Sequence, residues 1–383
     1  MKVLFITPND INSINGGGIN VKKLYLSLKS IEEIELKVYS PTEALKTDIL
    51  SKKNKINDVL SRLAFHSNYM YIDWKFNKNK IIEYSPDVVI LSNSRLGFIA
   101  KYLKNKWPNI KIITQLDNIE LDYCENYVEK FKGIKKKLIK LIERKSVYRD
   151  EKKAFDYSDS IIFLTERDKK RAKTLYEYKV KKEYIIPICL EKKIELNKKS
   201  NKKLNFIFLG SLWYYPNYSG IEWFIKNVWK NIEYDNFQLI IAGSKPSETI
   251  KAYNGKDNIV VYPNFKSVEE IIPENSVFIS PILEGAGMKV KIAEALSMGL
   301  PVIATEESLI GYDEAINKGE NKCIYKANTN IEFINKIKEI VRDYSQIKMK
   351  NISNMIFEEY YYIDRCKDEI SKILEINLSK EQR

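Results

Sequence analysis

Short, solidly apolar runs recur along the chain, separated by segments with helical spacing. Val3–Thr7, Leu36–Tyr39, Val88–Leu91, Ile110–Gln115, Ile161–Thr165 and Ile185–Ile188 form a first series. Phe206–Gly210, Leu239–Ala242, Ile259–Tyr262, Val277–Ile282, Val302–Thr305 and Cys323–Lys326 form a second. Runs that stay apolar at successive positions, rather than alternating, predict strands covered on both faces, as in a parallel sheet between helices. Strand and helix alternate throughout, so each series predicts a doubly wound α/β unit of Rossmann type. The polar, charged stretch Leu190–Leu204 predicts the linker between them. The expected boundaries are 1–190 for the first domain, 204–351 for the second and 352–383 for a C-terminal helical segment.

Composition agrees with this division. A chain of 383 residues, 44% hydrophobic and 30% charged, is long enough for two cores. The opening apolar run stops at Pro8, too short for the core of a signal peptide, so it reads as a first strand. No run reaches the roughly 18 apolar residues of a membrane span. Cys124, Cys189, Cys323 and Cys366 are scattered, without the spacing of a disulfide framework or zinc site. A reducing, cytoplasmic setting is therefore expected. The single histidine, His66, lies in a stretch without a nucleophile elbow and is read as a packing or surface residue.

The net charge of +13 is unevenly spread. Residues 1–200 hold 41 Lys+Arg against 26 Asp+Glu, whereas residues 201–383 hold 23 against 25. The first half is thus expected to meet something anionic, with a membrane leaflet or diphosphate-linked lipid as candidates. Nucleic acid is not expected, because no helix-turn-helix, RNP or zinc pattern is present. Lys132–Lys153 combines Ile134, Leu138, Ile139, Leu141, Ile142 and Tyr148 with many cations. Its spacing predicts one apolar and one basic helix face, suited either to docking on its own domain or to lying on an anionic bilayer. In the second case the protein sits peripherally at the inner face of the cell membrane.

Two glycine-containing turns carry candidate chemistry. The first, Asn15–Asn20 with Gly17 and Gly18, precedes a helix expected near Val21. It is read either as a ligand cradle at a helix start or as a structural turn. The second lies in Pro281–Thr305, which reads PILEGAGMKVKIAEALSMGLPVIAT. A strand delivers the loop Glu284–Met288, a helix begins near Lys289, and Gly299 supplies its C-terminal cap. Gly285 and Gly287 let backbone approach a diphosphate, and the helix dipole favours the anion. Lys289 and Lys291 stand in the first turn, where cations oppose the dipole unless an anion is present. Glu294 shares a face with Lys291, placing a carboxylate for ribose hydroxyls beside an ammonium for phosphate.

The stretch from Gly285 to Thr305 resembles the donor-site motif of the family 4 (group 1) retaining glycosyltransferases. Phe208–Phe224, reading FLGSLWYYPNYSGIEWF, is similar to the loop after the first strand of that family's C-terminal domain, and Ile240–Pro246 to its next strand and turn. Gln115–Tyr123, reading QLDNIELDY, is similar to a His-Asn-x-Glu segment of its N-terminal domain. The resemblance implies a GT-B fold, two Rossmann-like domains facing a central cleft, with the C-terminal helix crossing back to the first domain. It implies a hexosyltransferase-like enzyme of surface polysaccharide or glycoconjugate biosynthesis, moving sugar from a nucleotide-sugar to a saccharide or lipid-linked acceptor with retention.

The resemblance places donor binding at Gly210, Ser211, Asn217, Gly243, Gly285, Gly287, Met288, Lys289, Lys291 and Glu294, with Gly17 and Gly18 from the first turn. Of the two glutamates seven residues apart in many members, Glu294 matches the second. Ala286 stands at the first, with Glu284 two residues upstream. Asp117 stands where the N-domain histidine is usual. Asp117 and Glu284 are the candidate catalytic groups. No Asp-x-Asp triplet occurs, so a metal-independent reaction with no cofactor is expected, the lysines and helix amides meeting the departing diphosphate. A sugar-nucleotide epimerase, or a non-catalytic sugar-nucleotide-binding protein on the same scaffold, is the alternative.

Overall fold

A computed structural model describes residues 1–13, 16–42, 48–128, 134–179, 182–196, 203–233 and 236–376, with side chains described outside 125–140 and 348–350. The chain divides into two units, Met1–Ile188 joined by the segment from Ile363 onward, and Cys189–Tyr362. Helix Ile352–Tyr360 belongs to the second unit, and helix Ile363–Leu374 to the first, where it packs on helix Gly16–Lys29.

The first unit is built on seven parallel strands: β1 (Lys2–Ile6), β2 (Glu35–Ser40), β3 (Ile49–Leu50), β4 (Val88–Ser92), β5 (Lys111–Gln115), β6 (Ser160–Phe163) and β7 (Lys182–Ile185). Their order is β3-β2-β1-β4-β5-β6-β7. The second unit has six: β8 (Leu204–Leu209), β9 (Phe237–Gly243), β10 (Ile259–Pro263), β11 (Ser276–Ser280), β12 (Val302–Ala304) and β13 (Ile324–Lys326), in the order β10-β9-β8-β11-β12-β13. Both sheets reverse direction of winding once, between β1 and β4 and between β8 and β11. Ligands of open α/β sheets bind outside the carboxyl ends of strands at such switch points.

The solid apolar runs are the buried central strands. Val3–Ile6, Val89–Leu91, Phe206–Phe208 and Val277–Ile279 are fully covered. The edges depart from expectation. β7 covers Lys182–Ile185 instead of Ile185–Ile188, and β3 was not expected. Edge strands are covered on fewer sides, so β7 carries Lys182 and Glu183, while the more apolar Ile186 and Ile188 are buried as the chain leaves the sheet.

The expected helix over the basic stretch runs from Ile134 to Tyr157, with Lys132 and Gly133 outside the described residues. Ile134, Leu138 and Ile139 lie outside the described side chains, and from Leu141 onward the buried face differs from expectation. Glu143, Ser146, Val147, Asp150, Glu151, Ala154 and Phe155 face inward, whereas Leu141, Ile142 and Tyr148 are exposed. The buried carboxylates of that face are paired, whereas Ser146 Oγ has no hydrogen-bond partner among the described residues. Asp150 accepts from Ser67 N and from Ser67 Oγ, and pairs with His66 Nδ1 at 2.9 Å. His66 also stacks on Tyr71, so it packs, as expected. Glu151 accepts from the amides of Glu120 and Leu121 and from Ser94 and Tyr176, and burial pushes its carboxyl up to about 7. The four cysteines are buried free thiols. Among the described residues, no helix is long and apolar enough to cross a membrane.

Candidate active site

Each switch point carries a polar cluster. In the second unit, Gly210 and Ser211 follow directly on β8, and β11 delivers the loop from Pro281 to Lys289. The helix Val290–Ser297 follows and ends at Gly299, whose φ of +73° is the left-handed cap expected there. Gly210 and Gly243 are fixed by close approach. A Cβ on Gly243 would stand 1.7 Å from Gly210 O, and one on Gly210 would stand 2.8 Å from Lys291 Nζ. Only glycines let the strand ends close beneath the lysine.

Lys291 Nζ donates to Asn217 Oδ1 at 2.6 Å and lies 4.7 Å from the centre of the Phe208 ring. Asn217, in the first turn of helix Tyr215–Asn227, is held in turn by donating Nδ2 to Ser211 O at 3.0 Å. Burial pushes the Lys291 ammonium down to about 7, with Lys289 adding to the effect and Glu294 opposing it. Glu294 is shifted upward by burial, against the pull of Lys291. Its carboxylate accepts no hydrogen bond from the described residues, leaving both oxygens open to hydroxyl donors. Lys289 Nζ contacts Gly287 O at 3.2 Å and pairs with Glu307. Met288 is buried, Gly287 has φ +63°, and Glu284 is exposed.

The amides of Gly285, Ala286, Gly287, Val290 and Lys291 meet no acceptor among the described residues. Unsatisfied amides at a loop and helix start form an anion cradle. Two residues that sequence reasoning missed set its geometry. Glu307 holds Lys289. Tyr312, fully buried, donates its Oη to Lys289 O at 2.8 Å and accepts from Ala293 N at 3.0 Å, pinning the first helical turn. Tyr312→Phe leaves both partners unpaired in a dry interior, at a cost of about 1–3 kcal/mol. A thermal melt should show that destabilisation in a still-folded protein. An unchanged melting temperature would mean that Tyr312 does not hold the helix start.

In the first unit, the structure gathers Asn9 from the end of β1, Asn20 from helix Gly16–Lys29, and Gln115 and Asp117 from the end of β5. Asn20 Nδ2 donates to Asp117 Oδ1 at 2.5 Å, Asn9 Nδ2 to Asp117 Oδ2 at 3.5 Å, and Gln115 Nε2 to Asn20 Oδ1 at 2.8 Å. Burial pushes the Asp117 carboxyl up to about 7; the Asn20 hydrogen bond and Lys23 oppose this, and Glu120 adds to it. Glu120 is held by Arg95 Nε at 2.6 Å and Asn93 Nδ2 at 3.1 Å. Gly17 and Gly18 fall inside the first turn of helix Gly16–Lys29 rather than in a preceding loop, while Asn15 lies outside the described residues. They belong to this first-unit cluster's helix, and the other ten donor candidates belong to the second unit. Among the described residues, no group of three His, Cys, Asp or Glu could hold a metal ion.

Residues 203–343 match the family of glycosyl transferases group 1, so the second unit carries a domain of that class. A 161-residue stretch is 30% identical to an uncharacterised 44.6 kDa protein of the cps region of Klebsiella pneumoniae. That stretch spans 39% of this chain and 38% of the Klebsiella protein. Whole-length likeness appears in solved structures. Sucrose-phosphate synthase of Thermosynechococcus elongatus superposes with a TM-score of 0.70 at 11% identity, covering 98% of each chain. HepE of Anabaena in complex with UDP gives 0.66 at 11% identity, covering 98% of this chain and all of that one (100%). WaaG, a glycosyltransferase involved in lipopolysaccharide biosynthesis, gives 0.62 at 15% identity, covering 96% and 99%. The fold is that of the GT-B glycosyltransferases.

Proposed function

We propose that this protein is a glycosyltransferase of polysaccharide or glycoconjugate biosynthesis that moves a hexosyl group from a nucleotide-sugar to a saccharide or lipid-linked acceptor. The observation that carries the reading is Lys291, desolvated beside Asn217 and flanked by open amides at the switch point of the second sheet. A buried ammonium above unsatisfied amides is suited to a diphosphate, and Glu294 to ribose hydroxyls. The kinship with a cps-region protein, and the shared fold with a protein of lipopolysaccharide biosynthesis, support the pathway class.

In the proposed reaction, the bond from sugar C1 to the diphosphate oxygen breaks and its electron pair leaves on the diphosphate. Lys289, Lys291 and the loop amides meet that charge without an obligatory metal or cofactor. The acceptor oxygen bonds to C1 on the face the diphosphate leaves, giving retention, and Asp117 orients the acceptor hydroxyl or takes its proton. Glu284, exposed on the loop, hydrogen-bonds the donor sugar or steadies its developing positive charge. The protein works at the cytoplasmic face of the membrane, where its basic first half meets anionic lipid.

A panel of nucleotide-sugars, offered with saccharide and lipid-linked acceptors, tests this. Release of nucleoside diphosphate should require both substrates and be unchanged in excess EDTA. Activity lost in EDTA and restored by magnesium would remove the metal-free mechanism. Donor binding without any turnover would favour the non-catalytic alternative.

A further inference from the structure

In the first unit, helix Lys55–Leu63 is amphipathic in an inverted sense. Its large apolar residues stand at the i, i+3, i+4, i+7 spacing of one face, yet that face is turned to solvent: Ile56 is 69% exposed, Val59 54%, Leu60 44% and Leu63 71%. Polar contacts hold the helix down instead. Asn54 caps it through Asn57 N, Asn57 Nδ2 donates to Lys52 O, and the buried Ser61 Oγ donates to Tyr69 O and accepts from Ile72 N. Just beyond it, Phe65 is exposed and adopts φ +60°, a left-handed conformation that a bulky residue rarely takes, while Arg149 donates to its carbonyl.

Cations rim this face. Lys52, Lys53, Lys55 and Arg62 are exposed, against the single acid Asp58 within the helix. The neighbouring helix Ile134–Tyr157, tied on through Arg62–Glu143 and Arg149, carries nine Lys and Arg against four Asp and Glu in its sequence. Two copies of such a face would bring like charges together. An apolar row with a basic rim is the chemistry of an interfacial helix on anionic lipid. The helix is also coupled to the Asp117 cluster, because Arg62 pairs with Glu143, Glu143 with Arg95, and Arg95 with Glu120, three residues beyond Asp117.

We propose that helix Lys55–Leu63, with Phe65, is the element that inserts into an anionic bilayer, seating the Asp117 cluster against a membrane that carries the acceptor. The choice of acceptor rests on the transferase reading above; the docking does not. The test is co-sedimentation of the full chain with phosphatidylglycerol–phosphatidylcholine vesicles and with phosphatidylcholine vesicles alone. Binding should require phosphatidylglycerol, weaken with salt and fall at least about tenfold in Ile56→Glu/Leu63→Glu, whose melting temperature and nucleotide affinity stay those of the parent. A Leu63→Trp probe should shift its emission to the blue on these vesicles.

Indifference to both vesicle types overturns the proposal. So does unchanged binding by the double variant, which would leave only the lysines of the long helix. A concentration-dependent dimer abolished by that variant would assign the face to a second copy and also overturn it. Vesicle binding without turnover leaves the docking intact and removes only the transferase reading.

Discussion

Asp117→Asn should lower kcat/KM for glycosyl transfer by about 10²- to 10⁴-fold, the range for losing a positioned acid–base group. Asparagine preserves the shape and can still accept a hydrogen bond from Asn20, so the variant removes the charge and proton capacity. Burial holds the wild-type carboxyl near 7. If its ionised form serves the acceptor, log kcat/KM rises with unit slope below about pH 7 and levels above it. The variant's profile should lack that limb. Stability gives an independent reading with its own sign. The folded-state pKa lies above the unfolded value near 4, so folding favours the protonated acid. That contribution is full below about pH 4 and is lost as pH climbs to about 7. Asp117→Asn should therefore gain melting temperature relative to wild type between pH 4 and 8, even as activity falls. Parallel pH profiles of activity would show that Asp117 only shapes the loop.

What could be read from the sequence follows what is local in it. The central strands were legible because burial on both faces writes an unbroken apolar run. The glycine loop and the helix that follows it were legible because Gly285 to Glu294 form one contiguous segment. The Asp117 cluster was not, since Asn9, Asn20 and Asp117 meet only when β1 and β5 lie in one sheet. Tyr312 and Glu307 were missed for the same reason: they reach back to the start of helix Val290–Ser297 across the turn after β12. The pattern Thr305-Glu-Glu-Ser308 was a signal for that turn, whose hydroxyls bond Ile282 O and Ser280 O. In the helix Lys55–Leu63 the apolar spacing is plain, but spacing gives the period of a face and not the direction it points. For the described part of Lys132–Lys153, from Leu141 onward, the same ambiguity went the other way, and the inward face is largely polar.

Lys291→Ala should weaken nucleoside diphosphate binding by about 10- to 100-fold, because a lost charge-assisted contact costs about 1.5–3 kcal/mol. The larger consequence is in how binding depends on pH. In the free protein, burial beside Phe208 and Asn217 holds the Lys291 ammonium down to about 7. A diphosphate placed against it favours the charged form, so its pKa rises in the complex. Binding must then take up a proton over the pH range between the two values. Uptake is about half a proton at pH 7 and approaches one at pH 8. Affinity should fall toward tenfold per unit as pH rises above 7, until the pKa of the complex is reached. Calorimetry in buffers of different ionisation enthalpy measures the uptake directly as the slope of observed heat against buffer enthalpy. Lys291→Ala should flatten that slope as well as lower the affinity, whereas Lys289→Ala should lower affinity and reduce the slope only in part, because Lys289 adds to the downward push on Lys291 while burial remains. Lys289 is already paired with Glu307. A buffer-independent heat in the wild type would mean that the protonation of Lys291 does not change on binding, and would overturn its role as the group that takes up the proton.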